Sequence, residues 1–340
     1  MDQLPQDLLF MIFSELSIEL LIKIKHLSKS LNSNITEYLP SYSKCSRVSD
    51  KYIHRVETLF PKLISSVDIC SKSTTIVDFC KSIYYLSISG NSNNSDVSTL
   101  LNLRELTLHD SENDSDLSEL INLREIHIWE STNCSDISNL INLTQINLND
   151  SFIDSDLKGL VNLDLLILNN CINNTDLSKL IQLGGLVLNN TKNYSDLSGL
   201  INLKHLVLVN TGNTSDLSKL INIGYLELCE HNNNSDLSDL IDIQDLQLYF
   251  FQNNTDLSKM TKLRDLRLVE SLDDIDLSLI TTLQELHITS GHNNSDLSKL
   301  TMLDALYIFN SQNASNLSQM PQHMHIHIHI SNSPNIIERD

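Results

Sequence analysis

Apolar residues recur along this chain in one phrase, Leu-x-x-Leu-x-Leu, followed by a polar stretch rich in Asn and then Ser-Asp-Leu-Ser-x-Leu. Leu103, Leu106, Leu108, Ser115, Asp116, Leu117, Ser118 and Leu120 spell out one copy. The phrase returns every 20 residues without insertion from about residue 81 onward, its register marked by Asp96, Asp116, Asp136, Asp156, Asp176, Asp196, Asp216, Asp236, Asp256, Asp276 and Asp296. A unit this short cannot bury its apolar side alone, so the chain must be a stack. Leu106 and Leu108, two apart, point to one face of an extended strand and their neighbours to the other, which predicts a half-buried strand. Beyond it, Ser115 or Asp116 can cap a short helical or 3₁₀ turn from which Leu117, Leu120 and Leu123 project inward.

This strand, polar corner and short turn resemble the leucine-rich-repeat family, especially its short variants in which Asp-Leu or Asp-Ile follows an Asn-containing corner. The resemblance implies an α/β leucine-rich-repeat solenoid of about 12 repeats over residues 81–330, with one parallel β-strand per 20-residue coil and short helical or 3₁₀ turns on the convex side. A recurring Asn (Asn113, Asn133, Asn173, Asn193, Asn213, Asn233, Asn253, Asn293) comes five residues after the last strand leucine, where the family's ladder Asn commonly follows after three. A column of stacked Asn side chains can bond backbone groups of the adjacent coil at a bend that would otherwise strand them. The same residues form Asn-x-Ser/Thr sequons, which in a chain without a secretory signal read as ladder chemistry and not as glycan sites.

Residues 1–40 leave the repeat. They open Leu4-Pro5-Gln6-Asp7-Leu8-Leu9, continue through Ile12-Phe13-Ser14-Glu15-Leu16 and Leu20-Leu21, and close on Leu27-Ser28-Lys29-Ser30-Leu31. Apolar residues at 8, 9, 12, 13 and 16 make a helical stripe, with Pro5 suited to the first turn and two shorter helices after it. The order and spacing resemble an F-box, the helical module that docks onto the Skp-type adaptor of a cullin-RING ubiquitin ligase. That resemblance makes Leu4, Pro5, Leu8, Ile12, Phe13, Leu16, Leu20 and Leu21 the candidates for the adaptor interface and for the core of a three-helix module. The other reading is a helical cap that shields the apolar end of the array. Residues 41–80 read as a linker and degenerate first repeats, because Ile64-x-x-Val67-x-Ile69 stands 19 residues before Ile83-x-x-Leu86-x-Ile88. Residues 331–340 read as a tail.

Composition narrows the function. No apolar run is long enough to cross a bilayer, and six scattered cysteines without a Cys-x-x-Cys pair suit reduced thiols in a cytoplasmic or nuclear protein, not a secreted one. A net charge of −20 argues against nucleic acid and anionic membrane as partners. Eight glycines, no phosphate loop, no His-Glu-x-x-His and no nucleophile elbow leave an enzyme without its parts, and no cofactor is expected. The repeating aspartates are expected to be caps, not metal ligands. His323, His325, His327 and His329 alternate with Met324, Ile326 and Ile328. They read as a terminal strand, Ile326 and Ile328 falling in the register of Leu106 and Leu108, and no metal is assigned to them.

What remains is binding. Strand residues that point away from the core should form the concave wall, and there an apolar run from Leu165 through Ile167, Val187, Val207 and Val209 is unexpected on a wet face. With Trp129, Tyr225 and Tyr249 these residues form the candidate target site. Together the resemblances imply a substrate-recognition subunit of an SCF-type ubiquitin ligase, whose F-box engages the Skp-type adaptor and cullin scaffold and whose repeats capture a protein target. A non-enzymatic scaffold with a helical cap is the alternative.

Overall fold

In the computed structural model of the protein the described residues are 66–69, 83–90, 96–171, 173, 175–229, 233–251, 255–271, 275–290, 293, 295–310 and 329–331. The F-box-like segment, with its candidate residues Leu4 to Leu21, and His323, His325 and His327 lie outside them. The chain divides into two compact units, Met1–Ser155 and Asp156–Asp340, each built of the same coil. The first carries β1 (Ser66–Ile69), β2 (Tyr85–Ser89), β3 (Glu105–His109), β4 (Glu125–Trp129) and β5 (Gln145–Asn149). The second carries β6 (Leu165–Asn169), β7 (Gly185–Asn189), β8 (His205–Val209), β9 (Tyr225–Cys229), β10 (Asp245–Tyr249), β11 (Asp265–Val269), β12 (Glu285–Thr289), β13 (Ala305–Phe309) and β14 (His329–Ser331).

Within each unit the strands are parallel, in chain order, and each residue of a repeat pairs with its counterpart one repeat away: Leu106 with Ile126, and Leu186 with Leu206. The paired apolar positions are the core. Leu103, Leu106, Leu108, Leu117, Leu120 and Leu123 are all fully buried, as the spacing requires. The turn is a double one: Leu120 N–H donates to Leu117 C=O at 3.0 Å, and Leu123 N–H to Leu120 C=O at 2.9 Å. In the second unit these turns tighten into 3₁₀ segments at Leu157–Gly159, Leu257–Lys259, Leu277–Leu279 and Leu297–Lys299.

Ser and Asp of the corner divide the work that the sequence left open between them. The Asp caps its own turn, Ser118 N–H donating to Asp116 Oδ1 at 2.9 Å and Ser198 N–H to Asp196 Oδ1 at 2.9 Å. The Ser reaches the coil before. Ser135 Oγ accepts from Leu117 N–H at 3.1 Å and donates to Ser115 C=O at 2.9 Å. Asn does the same from inside: Asn133 is buried, its Oδ1 accepts from Ser135 N–H, and its Nδ2 donates to Asn113 C=O at 3.1 Å and Ser115 C=O at 3.0 Å. An Nδ2 engaged in this way cannot carry a glycan in the folded chain, so Asn133 is a ladder residue, and Asn193, Asn213, Asn233 and Asn293 donate in the same way.

Two regularities were not foreseen. The residue after each of β3 to β8 and β10 to β13 turns left-handed, from Asp110 (φ 46°) and Glu130 (φ 50°) to Phe250 (φ 57°) and Asn310 (φ 48°). Asn and Asp tolerate that region, but Phe250, Glu130 and Glu270 are held there by the coils around them. Second, the residue following the inward Leu of the turn is half-exposed and aliphatic: Ile121 and Ile141 in the first unit, Ile181, Ile201, Ile221 and Ile241 in the second. The Asn beside it makes another ladder, Asn142 Nδ2 donating to Ile121 C=O at 2.8 Å and Asn222 Nδ2 to Ile201 C=O at 2.8 Å.

Within the units the twenty-residue register changes at the outer flanks. Ser66 pairs with Tyr85, the nineteen-residue step that the sequence shows. At the other end Ile330, not Ile328, pairs with Ile308. This corrects the expected alignment by two residues. A tract that alternates with period two keeps the same residues on the same face after such a slip, so its own pattern does not fix the register.

If the Asn ladder joins coils and the Asp only trims a turn, their removal should differ. Asn213 Oδ1 accepts from Ser215 N–H at 2.9 Å, and its Nδ2 donates to Asn193 C=O at 3.1 Å and Ser195 C=O at 3.0 Å, all in a buried corner. Asn213→Ala should cost about 1–3 kcal/mol for each group it leaves without a partner. Urea unfolding followed by circular dichroism should show a larger loss for Asn213→Ala than for Asp196→Ala. An equal or smaller loss would show that stacking does not depend on the ladder.

Candidate functional site: the open face of the strands

The strands bury every second residue and leave the others on an open face, as β3, β4 and β13 show, except that β7 also buries Gly185 and β8 Val207. Because the inward positions are fixed as Leu, Ile or Val, chemical variety is confined to the first, middle and last positions of each strand.

In the first unit that face holds Glu105, Thr107 and His109 on β3 and Glu125, His127 and Trp129 on β4. Glu105 pairs with Glu125 across the strands, and His127 follows Glu125 on the same side. His127 Nε2 stands 3.9 Å from Glu125 Oε2. The Trp129 ring lies 6.2 Å from that of His127 and meets that of His109 edge-on at 5.9 Å. Burial, then the like charge of Glu125, pushes the Glu105 carboxyl above its ordinary value, with His127 acting in the other direction.

The second unit opens with the apolar sector. Leu165, Ile167, Val187 and Val209 are part-exposed on this face. Val207 is only 9% exposed, set in register between Val187 and Glu227. It therefore supports the patch and offers little surface, although the sequence counted it among the open-face residues. Gly185 deepens the sector: a Cβ there would stand 2.7 Å from Leu165 Cδ1, so the leucine occupies space that any other residue would fill.

From β8 onward the face becomes aromatic and acidic. His205 stacks on Tyr225 at 4.3 Å, and Tyr225 donates its hydroxyl to Glu227 Oε2 at 3.0 Å. Tyr249 donates to Gln247 Oε1 at 3.2 Å, and Gln247 Nε2 to Asp245 Oδ1 at 3.3 Å. His287 bonds Glu285 and stacks on Tyr307 at 4.1 Å. Burial raises Asp245, which Gln247 opposes and Asp265 reinforces; burial and then Glu285 raise Asp265. Burial also holds His205 low against the pull of Glu227 and Asp245, and raises Tyr225 together with Glu227. Among the described open-face positions of this unit, Glu227, Asp245, Asp265 and Glu285 face one cation, Arg267.

The candidate residues thus fall into both units: Trp129 in the first, Leu165, Ile167, Val187, Val207, Val209, Tyr225 and Tyr249 in the second. Sequence reasoning missed the carboxylates at the first strand position, Glu105, Glu125, Asp245, Asp265 and Glu285. Their signal was available, since each precedes the first inward strand residue by one.

No family model matches the chain, and no curated protein does. Solved structures do match in fold. An internalin, inlF, from Listeria monocytogenes agrees with a TM-score of 0.63 over 86% of this chain and 92% of its own, at 18% identity. The functional domain of InlJ from Listeria monocytogenes, which includes a cysteine ladder, gives 0.58 over 80% and 70%, also at 18% identity. PEPR1–AtPEP1 gives 0.57 over 81% of this chain and 46% of its own, at 16% identity. Each coil stack of this protein has the leucine-rich-repeat solenoid fold. Among the described residues no helix is long and apolar enough to cross a membrane.

The two kinds of carboxylate set the response to acid. All eleven cap aspartates, from Asp96 to Asp296, are held below the ordinary aspartate value of 3.8, ten by the backbone N–H and hydroxyl of the Ser two residues on and Asp156 by Lys158. A lowered folded pKa stabilises fully above the unfolded value and is lost as pH falls through the folded one. Glu105, Asp245 and Asp265, raised, act with the opposite sign but are fewer. Urea midpoints measured from about pH 5 to about pH 3 should fall progressively as the caps protonate. A flat or rising profile would show that the caps do not outweigh the open-face carboxylates.

Proposed function

We propose that this chain is a non-enzymatic recognition subunit of an SCF-type ubiquitin ligase, working in the cytoplasm or nucleus. Its F-box-like segment engages a Skp-type adaptor and through it the cullin scaffold, and the open strand face captures a protein target. The observation that carries the recognition half is the open face of the second unit, where a part-exposed aliphatic sector adjoins stacked Tyr and His rings ringed by carboxylates. A face with apolar anchors and an excess of negative charge suits a basic segment of a protein, which brings both cations for Glu227, Asp245, Asp265 and Glu285 and aliphatic stems for the rings. A fold neighbour in the same class is itself a complex, PEPR1–AtPEP1. The adaptor half rests on Leu4, Pro5, Leu8, Ile12, Phe13, Leu16, Leu20 and Leu21 in F-box order.

The adaptor half has a direct test. Changing Ile12 and Phe13 to Asp should abolish capture of a Skp-type adaptor and leave the circular dichroism of the repeats unchanged. A wild-type chain that captures no such adaptor would leave the scaffold, with its helices as a cap, as the function.

The recognition half is tested on the target that the chain captures. Ile167→Ser with Val187→Ser should weaken capture at least about tenfold, since two anchors of a desolvated patch are lost. Asp245→Asn with Asp265→Asn should slow association and flatten its dependence on salt. Capture that ignores both pairs would move the target site off this face.

A further inference from the structure

We propose that Glu105, Glu125 and His127 form a binding site for a divalent transition metal, best matched by zinc, on the open face of the first unit. One donor atom from each of the three side chains already lies within 4.8 Å of the other two. Donors that share one zinc at about 2.0–2.2 Å sit roughly 3.3–3.5 Å apart, so side-chain rotations of an ångström or so close the site. The backbone need not move. Glu105 and Glu125 are cross-strand partners and Glu125 and His127 share one side of β4, so the parallel ladder holds all three Cα positions.

The donor chemistry selects the metal. Two carboxylates bring two negative charges together, and no Lys or Arg occupies an open-face position of β2 to β5 to balance them. A divalent cation balances both. An imidazole among the donors favours zinc, cobalt or copper over magnesium and calcium, which prefer oxygen alone. Three protein donors on an open face leave a further coordination position for water or a donor from a bound partner.

Other carboxylate groupings in the protein differ. Each cap aspartate is committed to the N–H of its own turn, as Asp116 is to Ser118. Asp265, Glu285 and His287 repeat the same register in the second unit, but His287 Nε2 is bonded to Glu285 and its ring is stacked on Tyr307. The Asp is also one methylene shorter than Glu105. Only the first-unit trio is gathered as a donor set among the described residues.

Trp129 supplies the readout, because it is the one tryptophan of the chain and its ring lies 6.2 Å from that of His127. Co²⁺ titrated into the metal-free full-length chain should quench tryptophan fluorescence saturably at one equivalent, and Zn²⁺ should reverse the quenching by competition. His127→Gln, and separately Glu105→Gln with Glu125→Gln, should weaken the Co²⁺ response about tenfold or more, since even an outer partner of a metal ligand is worth about 10–100-fold in affinity. Replacing His323, His325, His327 and His329 by Asn should leave the response intact, as should Glu285→Gln with His287→Gln. Quenching that never saturates, that Zn²⁺ does not reverse, or that survives in both site variants with their circular dichroism unchanged would overturn the proposal. So would quenching that disappears when only the C-terminal histidines are replaced.

Discussion

A coil of twenty residues has no interior of its own, so its folding depends on what one coil gives the coil before it. The decisive interaction is at the polar corner, where the chain must bend with its backbone groups buried. There Asn133, Asn213 and Asn233 each donate twice to carbonyls of the preceding coil, as Asn213 does to Asn193 and Ser195, while a neighbouring Ser such as Ser215 both donates and accepts. These bonds replace water at a place water cannot reach, and losing one strands several buried groups at once. Hydrophobic burial drives the stacking, but it is non-directional and would tolerate a slip. The ladder is what makes the step between coils one repeat and nothing else.

The ladder is not uniform among the described corners. Thr255 occupies the place of the Ser, yet its hydroxyl is buried without a partner, and Asp256 N–H instead donates to Ser238 Oγ at 3.1 Å. In the same coil Phe251 fills, fully buried, the position held by Ser or Thr in several other coils, such as Ser111 and Thr211, and Phe250 takes the left-handed turn. Rigid repetition elsewhere lets one coil hold a local misfit, because each coil answers only to its neighbours.

Periodicity explains what could be read in the sequence and what could not. Inward leucines such as Leu106, Leu108 and Leu117 were legible because burial demands the same residue type at each repeat, and the Asp cap because its geometry is local. The Asn ladder was legible as a column but not in its bonding, since spacing does not say whether an amide turns to its own coil or the next. The Ser was read only as an alternative cap, and its bonds to the preceding coil were missed for the same reason. The half-exposed Ile that follows several turns, such as Ile121 and Ile201, had no place in the pattern, because spacing alone does not say that the turn carries it outward. Register at β14 failed where the tract has period two. For the open face, the apolar sector was visible, but the Glu105–Glu125–His127 grouping needed the pairing of strands twenty residues apart.

Within the acidic balance of −20, two groups of carboxylates have opposite physics. The cap carboxylates sit at the exposed starts of turns, each held ionised by N–H and hydroxyl donors, and folding makes them stronger acids. Their charge is a by-product of closing turns. The open-face carboxylates are part-buried beside one another with too few cations, and folding makes Glu105, Asp245 and Asp265 weaker acids. That arrangement works against folding, and a frame so uniform elsewhere could have placed Thr or Asn at these positions, as it does at Thr107 and Asn147. Charge kept where it destabilises the free protein is charge that gains most when something positive binds.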